Sequence, residues 1–144
     1  MAQNSPSKEV MELLLGYLPK LSISINTLMK YLHTTLEQEK GISQEYKEEI
    51  QKELLEVIPM ISNFYESVEY KRIHDNIQAV ALDDLIILRS HGDAMGDILN
   101  GLGIMLDWVK GIKDEEKDIK EAINFLYSGT QKIMKVVNDI TEKK

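Results

Sequence analysis

The sequence predicts an all-α bundle of five to six helices that ends in a long antiparallel hairpin. Apolar residues recur at spacings of three and four through most of the chain, and strand-type alternation is almost missing. The last two periodic stretches are separated only by the residues around Gly111 to Lys113, a loop too short for anything but a hairpin. With 144 residues, 43% of them hydrophobic, residues 1–144 are expected to form one domain that buries most of its apolar surface.

Each element has its own signal. Ser5 and Ser7 flank Pro6 as a helix entry, and Val10, Leu14 and Tyr17 repeat at helical spacing until Pro19 breaks or kinks the segment. Leu21, Ile25, Leu28 and Leu32 carry the next helix toward Gly41, a C-terminal cap. Ser43 then caps a helix with the seam Tyr46, Ile50, Leu54, Val57, Ile61, Phe64 and Val68. Pro59 inside it frees the carbonyl of Leu55 and bends it around the core. Between Glu69 and Ala81 the periodicity is weakest, which predicts a short helix or an irregular connection.

The longest helix follows. Leu85, Leu88, Gly92, Met95, Leu99, Leu102, Leu106 and Val109 form a heptad seam, and Ile87, His91, Ala94, Ile98 and Met105 form a second apolar row beside it. Only Arg89, Asp93, Asp97, Asn100 and Asp107 are left for water, so this helix is expected to need partners on two sides. Asp83 and Asp84 at its start and Lys110 and Lys113 at its end suit the helix dipole. The last helix opens at Asp114, with Glu115 and Glu116 in its first turn and the seam Ile119, Ile123, Leu126, Thr130, Ile133, Val137 and Ile140.

Composition narrows the function. Without cysteine there is no thiol catalysis, disulfide or thiolate metal site, in keeping with a reducing compartment. A net charge of −7 opposes nucleic-acid and anionic-membrane binding. The polar stretch MAQNSPSKEV does not read as a signal peptide and no run is long enough to span a bilayer, so a soluble, cytoplasmic protein is expected. The chain contains no phosphate-binding loop, dinucleotide fingerprint, nucleophile elbow or HExxH motif, and it is expected not to be an enzyme. His33 and Glu37 make one ligand pair, too few for the two-metal site of a helical bundle, so neither metal nor cofactor is expected.

The histidines and glycines need separate accounts. His91 lies on an apolar face, where a neutral imidazole needs a partner from another element, while His33 reads as a rim residue. Gly92, Gly96 and Gly103 lie inside the long helix and each costs about 1 kcal/mol relative to alanine. Close approach of another helix, room for a ligand or a local break would each explain them. Close packing in a two-fold homodimer built from the last two helices is the favoured reading.

The stretch IHDNIQAVALDDLIILRSHGDAMGDIL, Ile73 to Leu99, together with the order of helices along the chain, resembles the globin-like sensor domains, and most closely their non-haem branch in stress and sporulation signalling of endospore-forming bacteria. The resemblance implies a globin-like bundle that binds a fatty acid in an apolar core, with a small anion nearby, and competes with a sensor histidine kinase for its signal. Under that reading the acyl chain lies along Leu28, Leu32, Ile58, Ile61, Phe64, Met95, Ile98 and Leu102. Tyr17, Tyr31, His91 and Arg89 are the candidate head-group donors, Arg89 also for the anion. Five methionines at or beside apolar faces, Met29, Met60, Met95, Met105 and Met134, suit an adaptable core. Two alternatives stand beside it: a helical interaction module without a ligand, and a haem globin using His74 as its proximal ligand.

Overall fold

The computed structural model describes residues 8–38, 43–112 and 115–142, and every regular element among them is helical. The all-α class expected from the sequence holds. The expected signals at Pro6, Gly41, Lys113 and Asp114 lie outside the described residues. Helix α1 (Lys8–Leu15) and α2 (Leu18–Glu37) are separated at Gly16 and Tyr17, and Pro19 sits in the first turn of α2, where a missing N–H is harmless. Helix α3 (Gln44–Glu66) begins as expected, the Tyr46 amide donating to Ser43 Oγ at 3.1 Å. It continues through Pro59, which is exposed, so the carbonyl freed on Leu55 lies on the outer, watered side.

The seam of α3 stops earlier than its pattern suggests. Ser67 caps a separate helix, α4 (Val68–Asp75), by accepting from the Tyr70 amide, and Val68 is 77% exposed instead of continuing the core. A single 3-10 turn at Ile77–Ala79 leads into α5 (Leu82–Val109), and Gly111, at φ +80°, turns the chain toward α6 (Glu116–Glu142).

The four long helices close a ring in which α2 lies against α3 and α6, and α5 lies against α3 and α6. Their contacts run in opposite senses. Tyr17 meets Phe64 while Tyr31 meets Tyr46; Phe64 meets His91 while Lys47 sits over Trp108; Ile98 meets Gly129 while Gly101 meets Leu126. Each row reads as an antiparallel pair, so the ring is an up-down-up-down four-helix arrangement. Helix α1 covers the start of α2, and Arg72 of α4 pairs with Glu9 of α1.

Burial on α5 corrects the expected heptad. Ile87, His91, Ala94, Ile98 and Met105, the row read as secondary, are all buried, joined by Gly101, Ile104 and Trp108. Of the row read as primary only Met95 and Leu102 are buried, whereas Leu99 is 46% exposed and Gly92 is exposed. The core stripe is rotated because α6 packs onto Ala94, Ile98 and Gly101.

The glycines divide accordingly. A Cβ at Gly101 would stand 2.8 Å from Leu126 Cδ2, and one at Gly129 would stand 2.4 Å from Ile98 Cγ1, so close approach between α5 and α6 occurs there. A Cβ at Gly92, Gly96 or Gly103 would meet nothing within 4 Å among the described residues. Alanine at any of these three is therefore expected to raise the stability of the isolated subunit by about 1 kcal/mol, through helix propensity alone. Thermal unfolding at a protein concentration low enough to exclude association checks this.

Candidate functional site

Two features stand apart from ordinary core packing: an aromatic cluster around His91 and the uncovered outer face of α5. The cluster forms where the start of α2, the end of α3 and α4 converge on the N-terminal half of α5. His91 is 2% exposed, with the rings of Phe64, Tyr17 and Tyr65 centred 4.5, 5.7 and 5.9 Å from its own. Burial pushes its pKa down to about 4, so the imidazole is neutral at physiological pH.

The partner that the sequence could not name is Tyr17, whose hydroxyl is hydrogen-bonded to His91 Nε2. Met95 Sδ lies 3.8 Å from the same oxygen. Either the hydroxyl donates to Nε2, or Nε2–H donates to the phenol oxygen and the hydroxyl turns to sulfur. Both arrangements keep His91 uncharged. Tyr65 and Tyr70 complete the cluster, their rings 5.0 Å apart, and burial raises the Tyr65 pKa, Tyr70 adding to the effect.

Among the described residues, three clefts open near this end of the bundle. One, of about 320 Å³, is lined by Leu13, Gly16, Tyr17, Lys20, Met60, Asn63 and Phe64, an apolar floor with one cation and one amide at its edge. A second, of about 110 Å³, lies on the other side of His91, between it and Tyr65, Tyr70, His74 and Leu88. The third, of about 340 Å³, separates α1 from α4 and the start of α5, with Glu9, Arg72 and Asp84 on its walls.

Most residues expected to line an acyl tunnel are packed in the core. Leu28, Leu32, Ile61, Met95, Ile98 and Leu102 are each at most 3% exposed, and Ile58 is half-buried against them. None of these seven borders the three clefts; Phe64 does, on the cleft with Lys20. Among the expected head-group donors, Tyr17 and His91 come together, while Tyr31 stands apart against Tyr46 and Arg89 is exposed on the outer side of α5. His74 is exposed, stacked on Tyr70 and 3.8 Å from Asp75, and the cleft it borders, at about 110 Å³, is far below the ~300 Å³ lower end of cofactor sites. His33 is exposed, as expected. Among the described residues no group of three His, Cys, Asp or Glu is placed to hold a metal ion.

The outer face of α5 is the second feature. Gly92, Gly96, Leu99 and Gly103 are exposed in its middle, flanked by half-buried Leu85, Leu88 and Leu106. The polar stripe next to it is only partly free. Asp97 accepts from Ser128 at 2.7 Å and from Lys132 at 2.8 Å, bonds across to α6 that hold its carboxyl below the usual carboxylate range. Arg89 and Asp107 have no ion pair among the described residues.

Comparison with protein-family models, with curated proteins and with solved structures returned no match. No helix among the described residues is long and apolar enough to cross a membrane. Sequence reasoning missed Lys20, Tyr65, Tyr70, Gly101 and Gly129. Only Tyr70 carried a signal, its four-residue spacing from His74.

Proposed function

We propose that this chain is a non-enzymatic helical interaction module whose docking surface is the outer face of α5. The observation that supports it is the placement of Gly92, Gly96 and Gly103. Gly92, Gly96 and Gly103, in the interior of a 28-residue helix, forgo about 3 kcal/mol of helix propensity, and none of the described residues occupies the space they leave. Docking of an apolar helix into that space would offset the cost, with Leu99 as a central anchor. The test is a photo-reactive amino acid placed at Leu99, and at Lys52 on the outside of α3 as control, in the organism that makes the protein. One discrete cross-linked product from position 99 alone is expected; equal or no products from both positions would end the proposal.

A second reading is favoured by the cleft beside Tyr17. Its apolar floor and the ammonium of Lys20 suit a short amphiphilic carboxylate, which keeps the fatty-acid-sensing role implied by the globin-like resemblance while moving the site from the core to its edge. A ligand there would press on Tyr17 and so on His91 and α5, linking the cleft to the docking face. Denaturing extraction of protein purified under native conditions tests it. A released fatty acid that is lost in Lys20→Glu supports this reading, and an empty extract removes it.

A further inference from the structure

The outward seam of α5 runs Leu85, Arg89, Gly92, Gly96, Leu99, Gly103, Leu106 and Lys110, spaced four, three, four, three, four, three and four; Leu85 and Leu106 are half-buried, the other six are exposed, and Gly92 also edges the cleft beside Tyr65 and Tyr70. That is a heptad repeat, and the spacing reads the same in either direction. On the helix it lies roughly 160° from the row that meets α6, at 100° per residue, so it points away from the chain's own core. We infer that the partner on this face is a second copy of the chain, its α5 running antiparallel to the first about a two-fold axis between Gly96 and Leu99. This inference rests on the docking proposal and names its occupant.

Shape and charge both select that register. Antiparallel superposition sets Leu99 against Gly96 of the other copy, twice, and Gly92 against Gly103, twice. A large side chain then fills the space over a missing Cβ, and the two backbones close where neither helix has one. At the ends, Leu85 meets the stem of Lys110, and Leu106 meets the stem of Arg89, long side chains that cover apolar surface while their charges stay in water. The flank is complementary as well. Arg89 faces Asp107, and Asp93 faces the Asn100 amide, each pair occurring twice, and Arg89 and Asp107 have no ion pair within their own subunit among the described residues. A parallel arrangement sets Arg89 on Arg89, Asp93 on Asp93 and Asp107 on Asp107, so like charges oppose it.

Sedimentation equilibrium of the full chain is the experiment, with Arg89→Asp, Asp107→Arg and the double variant. Wild type is expected at twice the 16.5 kDa subunit mass. Each single variant puts like charges together at both ends of the interface and is expected to weaken the dimer at least about tenfold, while the charge-swapped double variant returns to within about threefold of wild type. Arg89 is exposed and Asp107 only half-buried, so circular dichroism should show unchanged helix content. Because the chain has no cysteine, Gly92→Cys with Gly103→Cys gives an independent check of register, since the two positions meet only between copies. Oxidation should yield a covalent dimer from the double cysteine variant and not from either single one. A dimer indifferent to both charge reversals overturns the inference. A monomer at about 100 μM overturns it too, and the cross-link at Leu99 then separates the two proposals: a product with a different protein preserves docking, and no product ends both.

Discussion

Between pH 7 and pH 4 the folded state is expected to lose about 3 kcal/mol through His91 alone. In the unfolded chain this imidazole titrates near 6.5, and in the fold burial among Phe64, Tyr17 and Tyr65 lowers it to about 4. Above pH 6.5 both states are neutral there and stability does not depend on this group. Between 6.5 and 4 the unfolded chain takes up a proton that the folded chain refuses, so stability falls by about 1.4 kcal/mol per pH unit as the solution is acidified. Below 4 both states are charged and the dependence levels off. Asp97 works in a different window: its depressed carboxyl contributes stability that is lost only as pH falls below the ordinary carboxylate range. Urea unfolding at pH 7 and pH 5, followed by the fluorescence of the single tryptophan, Trp108, isolates the histidine. His91→Gln, which can still bond to Tyr17, should flatten the profile between those values. A wild-type protein equally stable at pH 7 and pH 5 would show that water reaches His91 and that the rings of Phe64, Tyr17 and Tyr65 do not seal it.

The second large effect is expected at Gly129. Alanine there places its methyl carbon 2.4 Å from Ile98 Cγ1 and 3.2 Å from the Ala94 carbonyl oxygen, and Ile98 is fully buried. Overpacking of this kind costs about 1–3 kcal/mol, more than the ~1 kcal/mol that a glycine-to-alanine change returns in helix propensity. At a protein concentration low enough to exclude association, thermal denaturation should thus move in opposite directions for Gly129→Ala and Gly103→Ala, the same chemical change on two facing helices. A rise in stability at both positions would mean that α5 and α6 stand further apart than the Gly129–Ile98 contact requires.

These two sites also mark how far the sequence could be read. The helices were legible because their apolar spacing is local, and so was the Ser43 cap, which needs only its own first turn. The orientation of α5 was not. Its two apolar rows are adjacent and similar in content, and what decides between them is the closeness allowed by Gly129, a residue on another helix 31 positions beyond Ile98. For the same reason Gly92, Gly96 and Gly103 were identifiable as costly, but not as uncovered. His91 was legible as a buried neutral imidazole in need of a distant partner, while Tyr17 as that partner depends on the α1–α2 break bringing it under the end of α3. The short helix α4 was the least legible element, since its eight residues bury one side chain, Ile73, and leave almost no periodic signal.

The ring order has a consequence for how the chain comes into being. Helix α2 rests on α6, which is synthesised after α2, α3 and α5, while α5 and α6 are neighbours in sequence. During translation, at roughly 5–20 residues per second, the apolar stripes of α2 and α3 leave the ribosome on the order of ten seconds before the surface that finally covers them. They must wait, paired only with each other. The C-terminal hairpin needs no such delay, because its contacts are close along the chain and helical hairpins of this kind assemble quickly. The ring is therefore expected to close only once α6 has emerged, and a ribosome stalled before α6 would hold a nascent chain with its core open to chaperones.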